Sequence, residues 1–182
     1  MTNKAPTNCL IKYTTSMEPE KDPKHLPNRE THYCFGCSPA NPSGLQMKFF
    51  TQDSSVFSRL TVPDHLCGWD RLVHGGVIST ILDEIMSWTG IYMLKQITMT
   101  KSMTVDFLKP VYINSELKAE GKVLEKIGKH EALLEGSLYN EEGTLCARSK
   151  ANFVIFSPAV AKRLGIAREE HIQWFEEIYN LE

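Results

Sequence analysis

Apolar residues recur along this chain in two rhythms, and the change between them marks its elements. Over residues 76–94 large apolar side chains return every three to four positions, the period of a helix. At about 100° per residue, Val77, Ile78, Ile81, Leu82, Ile85, Met86, Trp88, Tyr92 and Met93 fill one half of that helix. Ser79, Thr80, Asp83, Glu84, Ser87 and Gly90 fall on the other, with Ile91 and Leu94 as large intruders in the last turn. Elsewhere the alternation is that of strands, over 45–50, 56–62, 98–108, 115–127, 130–139 and 144–156. Thr-Gln-Asp-Ser-Ser, Gly128 and Glu141-Glu142-Gly143 supply turns, and 63–75 reads as a loop. After Ser157-Pro158 a helical pattern returns, with Trp174, Phe175 and Ile178 on its apolar side. Residues 1–30 are polar, carry prolines at 6, 19, 23 and 27, and read as an arm.

Strand, strand, one long helix and then four strands joined mostly by short turns describe an antiparallel sheet wrapped around a central helix, an α+β fold. The expected organisation is an arm at 1–30, one domain at 31–157 and a C-terminal helical extension at 158–182. Such a sheet leaves a helix stripe and an edge uncovered, so the chain is expected to self-associate.

Composition narrows the classes. A net charge of −2 over 182 residues gives no basic surface for nucleic acid or an anionic membrane. No apolar run approaches the roughly 18 residues of a membrane span, and the first residues lack an apolar signal region. Five scattered cysteines fit a reducing, cytoplasmic compartment.

The chemistry concentrates at 73–84, Val-His-Gly-Gly-Val-Ile-Ser-Thr-Ile-Leu-Asp-Glu. The first N–H groups of a helix have no intrahelical acceptors, and the peptide dipoles place positive partial charge there. Gly75 and Gly76 leave those donors open to an oxygen that gains negative charge. Asp83 follows His74 by nine residues, on a stripe of small residues rather than the Lys and Glu of a solvated face. If the loop holding His74 folds back over the helix, donors and carboxylate flank one small substrate. Glu84 leans toward Trp88, and each carboxylate can raise the pKa of the other.

At these residues the chain resembles the hotdog-fold acyl-CoA thioesterases, in the branch whose helix begins with His-Gly-Gly and carries an acidic residue. The resemblance covers about residues 32–156. It runs through Cys34-Phe35-Gly36-Cys37, Asn41-Pro42-Ser43-Gly44-Leu45, Pro63, Gly68, His74-Gly75-Gly76, Leu82-Asp83-Glu84 and Thr100. It continues through Val105-Asp106-Phe107-Leu108-Lys109-Pro110 and Cys146-Ala147-Arg148-Ser149-Lys150-Ala151. It implies acyl-CoA as substrate, dimers or dimers of dimers, no cofactor, and a site between subunits. It also implies Asp83 as general base or nucleophile, the Gly75 and Gly76 amides as oxyanion donors, and His74 and Thr100 beside the thioester, Thr100 from the chain opposite. Asn41, Glu84, Lys101 and Arg148 are the candidates for substrate binding, with Lys109 and Lys150 as further cations for coenzyme A phosphates.

Other readings are weaker. Cys34, Cys37 and His32 suggest zinc, but no second Cys/His pair follows, so a turn packing sulfur side chains is expected and no metal. His65 and Cys67 are too close in sequence to establish a catalytic dyad. Asp106 would share a strand face with Thr100, Ser102 and Thr104 as a structural carboxylate. Met86, Met93, Met99 and Met103 could line an acyl tunnel or fill the core. The rival functions are a hydratase or dehydratase pairing His65 with Glu84, and a non-catalytic acyl-CoA-binding module.

Overall fold

In a computed structural model the described residues are 22–30, 32–52 and 55–181. They form β1 (Lys24–Leu26), β2 (Phe49–Gln52), β3 (Ser55–Thr61), β4 (Cys67–Trp69), β5 (Leu72–Val73), α1 (Gly75–Leu94) and β6 (Ile97–Phe107). β7 (Glu116–Ile127), β8 (Glu131–Asn140), β9 (Leu145–Phe156), α2 (Pro158–Arg163) and α3 (Glu169–Tyr179) complete the chain. Seven strands make one antiparallel sheet in the order β1-β2-β3-β7-β8-β9-β6, while β4 and β5 make a small ribbon. α1 packs across β3, β7, β8, β9 and β6, which is the helix-wrapped sheet that the alternation predicts.

The period-two pattern explains why β8 and β9 carry the centre of the sheet. Ala132, Leu134 and Leu138 of β8, with Ala147, Ala151, Phe153 and Ile155 of β9, point inward and are buried. Against them lies the apolar half of α1, with Ile81, Leu82, Ile85 and Met86 fully buried. At its far end α1 runs past the core, so Tyr92 is half-buried and Met93 exposed. Phe49 stacks on Trp88 at 4.3 Å, and Trp174 of α3 meets Trp88 edge-on at 5.3 Å. The Trp174 indole N–H donates to the Pro27 carbonyl at 2.7 Å, tying α3 to the N-terminal segment as well.

Four elements differ from the sequence expectation. The strand expected over 45–50 begins only at Phe49, because Gln46 adopts a left-handed φ of 48° and the Leu45 and Met47 amides bond to the Phe35 and Gly36 carbonyls. The loop at 63–75 contains a 3₁₀ turn at Asp64–Leu66 and the β4–β5 ribbon. The C-terminal pattern is two helices, interrupted where Gly165 takes a φ of 69°. Within the expected arm, β1 joins the sheet, a strand of three residues with only Leu26 buried and hence no alternation to read. The remainder of the arm, 1–21, lies outside the described residues.

β6 forms the sheet edge. Eleven residues long, it pairs among the described residues with β9 on one side only, and its other row of backbone groups stands open there.

Candidate active site

The start of α1 is built by His74. Its backbone is extended, its carbonyl accepts from the Val77 and Ile78 amides, and its Nδ1 accepts from the Gly76 N–H at 2.9 Å. A side chain that caps the first turn in this way satisfies one donor that the helix leaves open. The Gly76 amide, expected to face a substrate oxygen, is therefore held by His74. The Gly75 N–H, at the first helical position, has no acceptor inside the helix. His74 sits at the end of α1 as its cap, so the loop does not fold back along the helix toward Asp83. The ring of Phe107, 55% exposed, lies beside Gly75, close enough that a Cβ on Gly75 would meet it at 3.6 Å. The sequence carried no signal for this apolar neighbour.

Further along α1, the Thr100 hydroxyl donates to Asp83 Oδ1 at 2.6 Å. This contact depends on a bulge. Thr100 pairs with Phe153 and Ser102 with Asn152, so Lys101 is an extra residue in β6. Opposed residues of an antiparallel pair point to the same face, which turns Thr100 inward with buried Phe153 and leaves Ser102 outside. The expectation that Thr100 shares a face with Ser102, Thr104 and Asp106 is thus corrected. So is its expected origin in the opposite chain, since Thr100 reaches Asp83 within one chain. One turn on, Thr98 contacts the Ser87 hydroxyl at 2.8 Å, so β6 covers the small-residue stripe from Gly90 to Asp83. Burial lifts the Asp83 carboxyl above its ordinary value. The Thr100 hydrogen bond opposes this, and the nearby Cys34 adds to it.

Glu84 turns away from Asp83 toward the N-terminal segment. Cys34 Sγ lies 3.1 Å from Glu84 Oε1, and the Cys37 sulfur contacts both groups. Burial pushes the Glu84 carboxyl up to about 8, with the Cys34 charge next in effect. The Cys37 thiol donates to Cys34 and holds it below the usual thiol range, while that contact and burial push Cys37 up. A cavity of about 190 Å³ opens here, lined among others by Arg29, His32, Glu84 and Trp174. The hydratase pairing of His65 with Glu84 is not formed, because His65 is exposed in the 3₁₀ turn while Glu84 faces the two cysteines.

The other candidates are placed elsewhere. Asn41 shapes a turn, its Oδ1 accepting from the Ser43 amide at 3.0 Å. Arg148 leaves on the outer face of β9, opposite Asp106 in register and 3.6 Å from its carboxylate. Lys101 is exposed on the bulge and pairs with Glu131 at 2.7 Å. Exposed pairs of this kind contribute little to stability and leave both cations accessible to a phosphate.

A family model described as Thioesterase superfamily matches residues 71–147, from β5 into β9. No curated protein sequence matches the chain. Among solved structures the chain is similar to a thioesterase superfamily protein at 22% identity and a TM-score of 0.60, covering 64% of this chain and 57% of that one. The chain thus spans less than two thirds of that protein. It is also similar to the PaaI protein of the E. coli phenylacetic acid degradation operon, at 18% identity and a TM-score of 0.56, over 62% of this chain and 81% of that one. A hypothetical thioesterase of Streptococcus pneumoniae, solved with coenzyme A, is 18% identical with a TM-score of 0.54, over 58% and 83%. That protein has also been solved with an aspartate, and with a threonine, replaced by alanine. These likenesses show the fold, a hotdog in which one long helix is wrapped by an antiparallel sheet.

Proposed function

We propose that this chain hydrolyses acyl-coenzyme A thioesters to free acid and coenzyme A, with Asp83 as base or nucleophile. The observation that carries the reading is the Asp83 carboxylate held by Thr100, on a helix that opens with His-Gly-Gly. The Thr100 hydroxyl occupies Oδ1 and fixes the carboxylate, while Oδ2, with no hydrogen-bond partner among the described residues, is left to attack a carbonyl or draw a proton from water. A thioester suits so small a constellation, because its carbonyl is electrophilic and its thiolate leaves readily. The matched superfamily supports thioester chemistry, and the coenzyme A complex of the streptococcal protein supports a coenzyme A thioester. The variants chosen in that protein involve the residue types that meet here in Asp83 and Thr100.

The geometry calls for two copies of the chain. Eight residues separate Gly75 from Asp83, about 12 Å at a rise of about 1.5 Å per residue. One carbonyl must lie about 3 Å from both its oxyanion donor and its attacking group. Gly75 and Asp83 of the same chain cannot meet that demand, so each Asp83 works with the helix start of a second copy. The open edge of β6 offers the surface for such a pair. Light scattering is expected to give a dimer or a dimer of dimers, and a stable, active monomer contradicts the shared site.

Release of free thiol from acyl-coenzyme A tests the activity, and Thr100 tests its mechanism. Thr100→Val keeps the shape and removes the hydroxyl, so kcat is expected to fall about 10-fold. The base must be ionised, and burial sets its pKa above the ordinary aspartate value, so activity falls as pH drops through that raised value. Thr100 favours the charged form, so its loss moves this acid limb to higher pH. An acid limb that stays in place or moves down separates Thr100 from Asp83.

A further inference from the structure

Three metal-ligating atoms from two distant stretches of chain converge beside α1. The sulfurs of Cys34 and Cys37 and a Glu84 carboxylate oxygen all lie within 4.8 Å of one another. Around a tetrahedral zinc, with bonds of about 2.3 Å to sulfur and about 2.0–2.2 Å to oxygen, ligand atoms stand roughly 3.3–3.8 Å apart. Cys34 Sγ and Glu84 Oε1 already stand 3.1 Å apart, and no pair needs to close by more than about 1.5 Å. We propose that Cys34, Cys37 and Glu84 form a divalent-cation site suited to Zn²⁺.

Two features argue against simple packing of sulfur atoms. Glu84 is a half-buried carboxylate packed against two sulfurs, and no described Lys, Arg or His forms an ion pair with it. A buried carboxylate is costly unless it is paired or ligates a metal. The turn is also seated on the helix in advance. A Cβ on Gly36 would stand 2.1 Å from Glu84 Cγ, so only glycine lets the two cysteines come this close to α1. Asn28 Nδ2 fixes the turn by donating to the Cys37 carbonyl at 2.7 Å and the Met47 carbonyl at 2.9 Å.

Two soft thiolates with one carboxylate select zinc over magnesium or calcium, which take oxygen ligands. Binding forms two metal–sulfur bonds and one metal–oxygen bond and releases to solvent the protons that the thiols and the Glu84 carboxyl hold, with no change of oxidation state. The ligands bring three negative charges, so the complex carries one. The Arg29 guanidinium lines the same cavity, and its buried Nη1 has no hydrogen-bond partner among the described residues, which places a positive charge where that excess falls. The three ligand residues line a cavity together with His32 and Ser87, which leaves space for a fourth ligand. The site joins the segment before β2 to α1 one residue beyond Asp83, and it stands whether or not the chain hydrolyses thioesters.

The test uses the full chain, stripped with a chelator, kept under a non-thiol reductant and titrated with Co²⁺ and then Zn²⁺. One Co²⁺ per chain is expected, with thiolate-to-cobalt absorption in the near ultraviolet, intense tetrahedral bands in the visible, and displacement by Zn²⁺. Cys34→Ser and Cys37→Ser should each weaken the thiolate absorption. Glu84→Gln should keep it while lowering affinity by at least the roughly 10–100-fold that loss of an outer-shell partner costs. Zn²⁺ should also raise the melting temperature of the parent, which decides the matter even if a serine variant fails to fold. A parent chain with no thiolate-to-cobalt absorption and no zinc-dependent melting shift overturns the site. Binding undiminished by either serine substitution, or by Glu84→Gln, overturns it equally.

Discussion

Asp83→Asn lowers kcat for thioester hydrolysis by about 10² or more while the protein keeps its melting temperature. Asparagine preserves the shape of the side chain, and its amide oxygen still accepts from the Thr100 hydroxyl, so the contact between α1 and β6 survives. What disappears is the basic, nucleophilic oxygen. The substitution also removes a carboxylate whose ionised form burial disfavours, so the fold has no reason to weaken. Kinetics and thermal melting on the same preparation check both halves of the expectation. If Asp83→Asn keeps near-full activity while Glu84→Gln loses it, the catalytic carboxylate is the neighbouring residue.

Gly76→Val depresses kcat by about 10²–10³, the scale of losing one oxyanion donor. A Cβ at position 76 stands 3.1 Å from His74 Nδ1, so a branched side chain there drives the imidazole from its place on the helix and obstructs the donors at the first turn. Loss of the cap costs about 1 kcal/mol, so a small fall in melting temperature accompanies the larger kinetic effect. Were the glycines needed only for a tight turn, the variant would melt early yet, when folded, hydrolyse thioesters at the parent rate. The two substitutions also test the shared site together. Co-expressed Asp83→Asn and Gly76→Val chains regain activity, because a mixed dimer combines an intact Asp83 from one chain with an intact helix start from the other. If both groups act within one chain, the mixture stays as inactive as its parts.

The central helix was legible because most of its apolar residues keep one period, and a glycine-rich start followed by Asp83 needs no tertiary information to be seen. The strands β7, β8 and β9 were legible for the same reason, since buried positions alternate along β8, along most of β9 and through the first half of β7. The partner of Asp83 was harder to place. Strict alternation along β6 sends Thr100 outward with Asp106, and the bulge at Lys101 that reverses it has neither glycine nor proline to announce it. The occupied Gly76 amide was equally hidden, because a His before two glycines reads the same whether its ring caps the helix or faces a substrate. Spacing also left the surroundings of the cysteines open. Cys34 and Cys37 lack a second pair along the chain, but their third partner is Glu84, distant in sequence and adjacent only once α1 lies under the turn at Gly36.

The central claim is hydrolysis of a coenzyme A thioester, and one assay reaches it directly. The full chain is incubated with acyl-coenzyme A substrates from acetyl to palmitoyl, with aromatic and unsaturated members, while free thiol and free acid are both measured. The account predicts equimolar thiol and acid from at least one substrate, at a rate proportional to protein and absent with Asp83→Asn. No thiol from any substrate, or an unsaturated substrate consumed without thiol release, contradicts it.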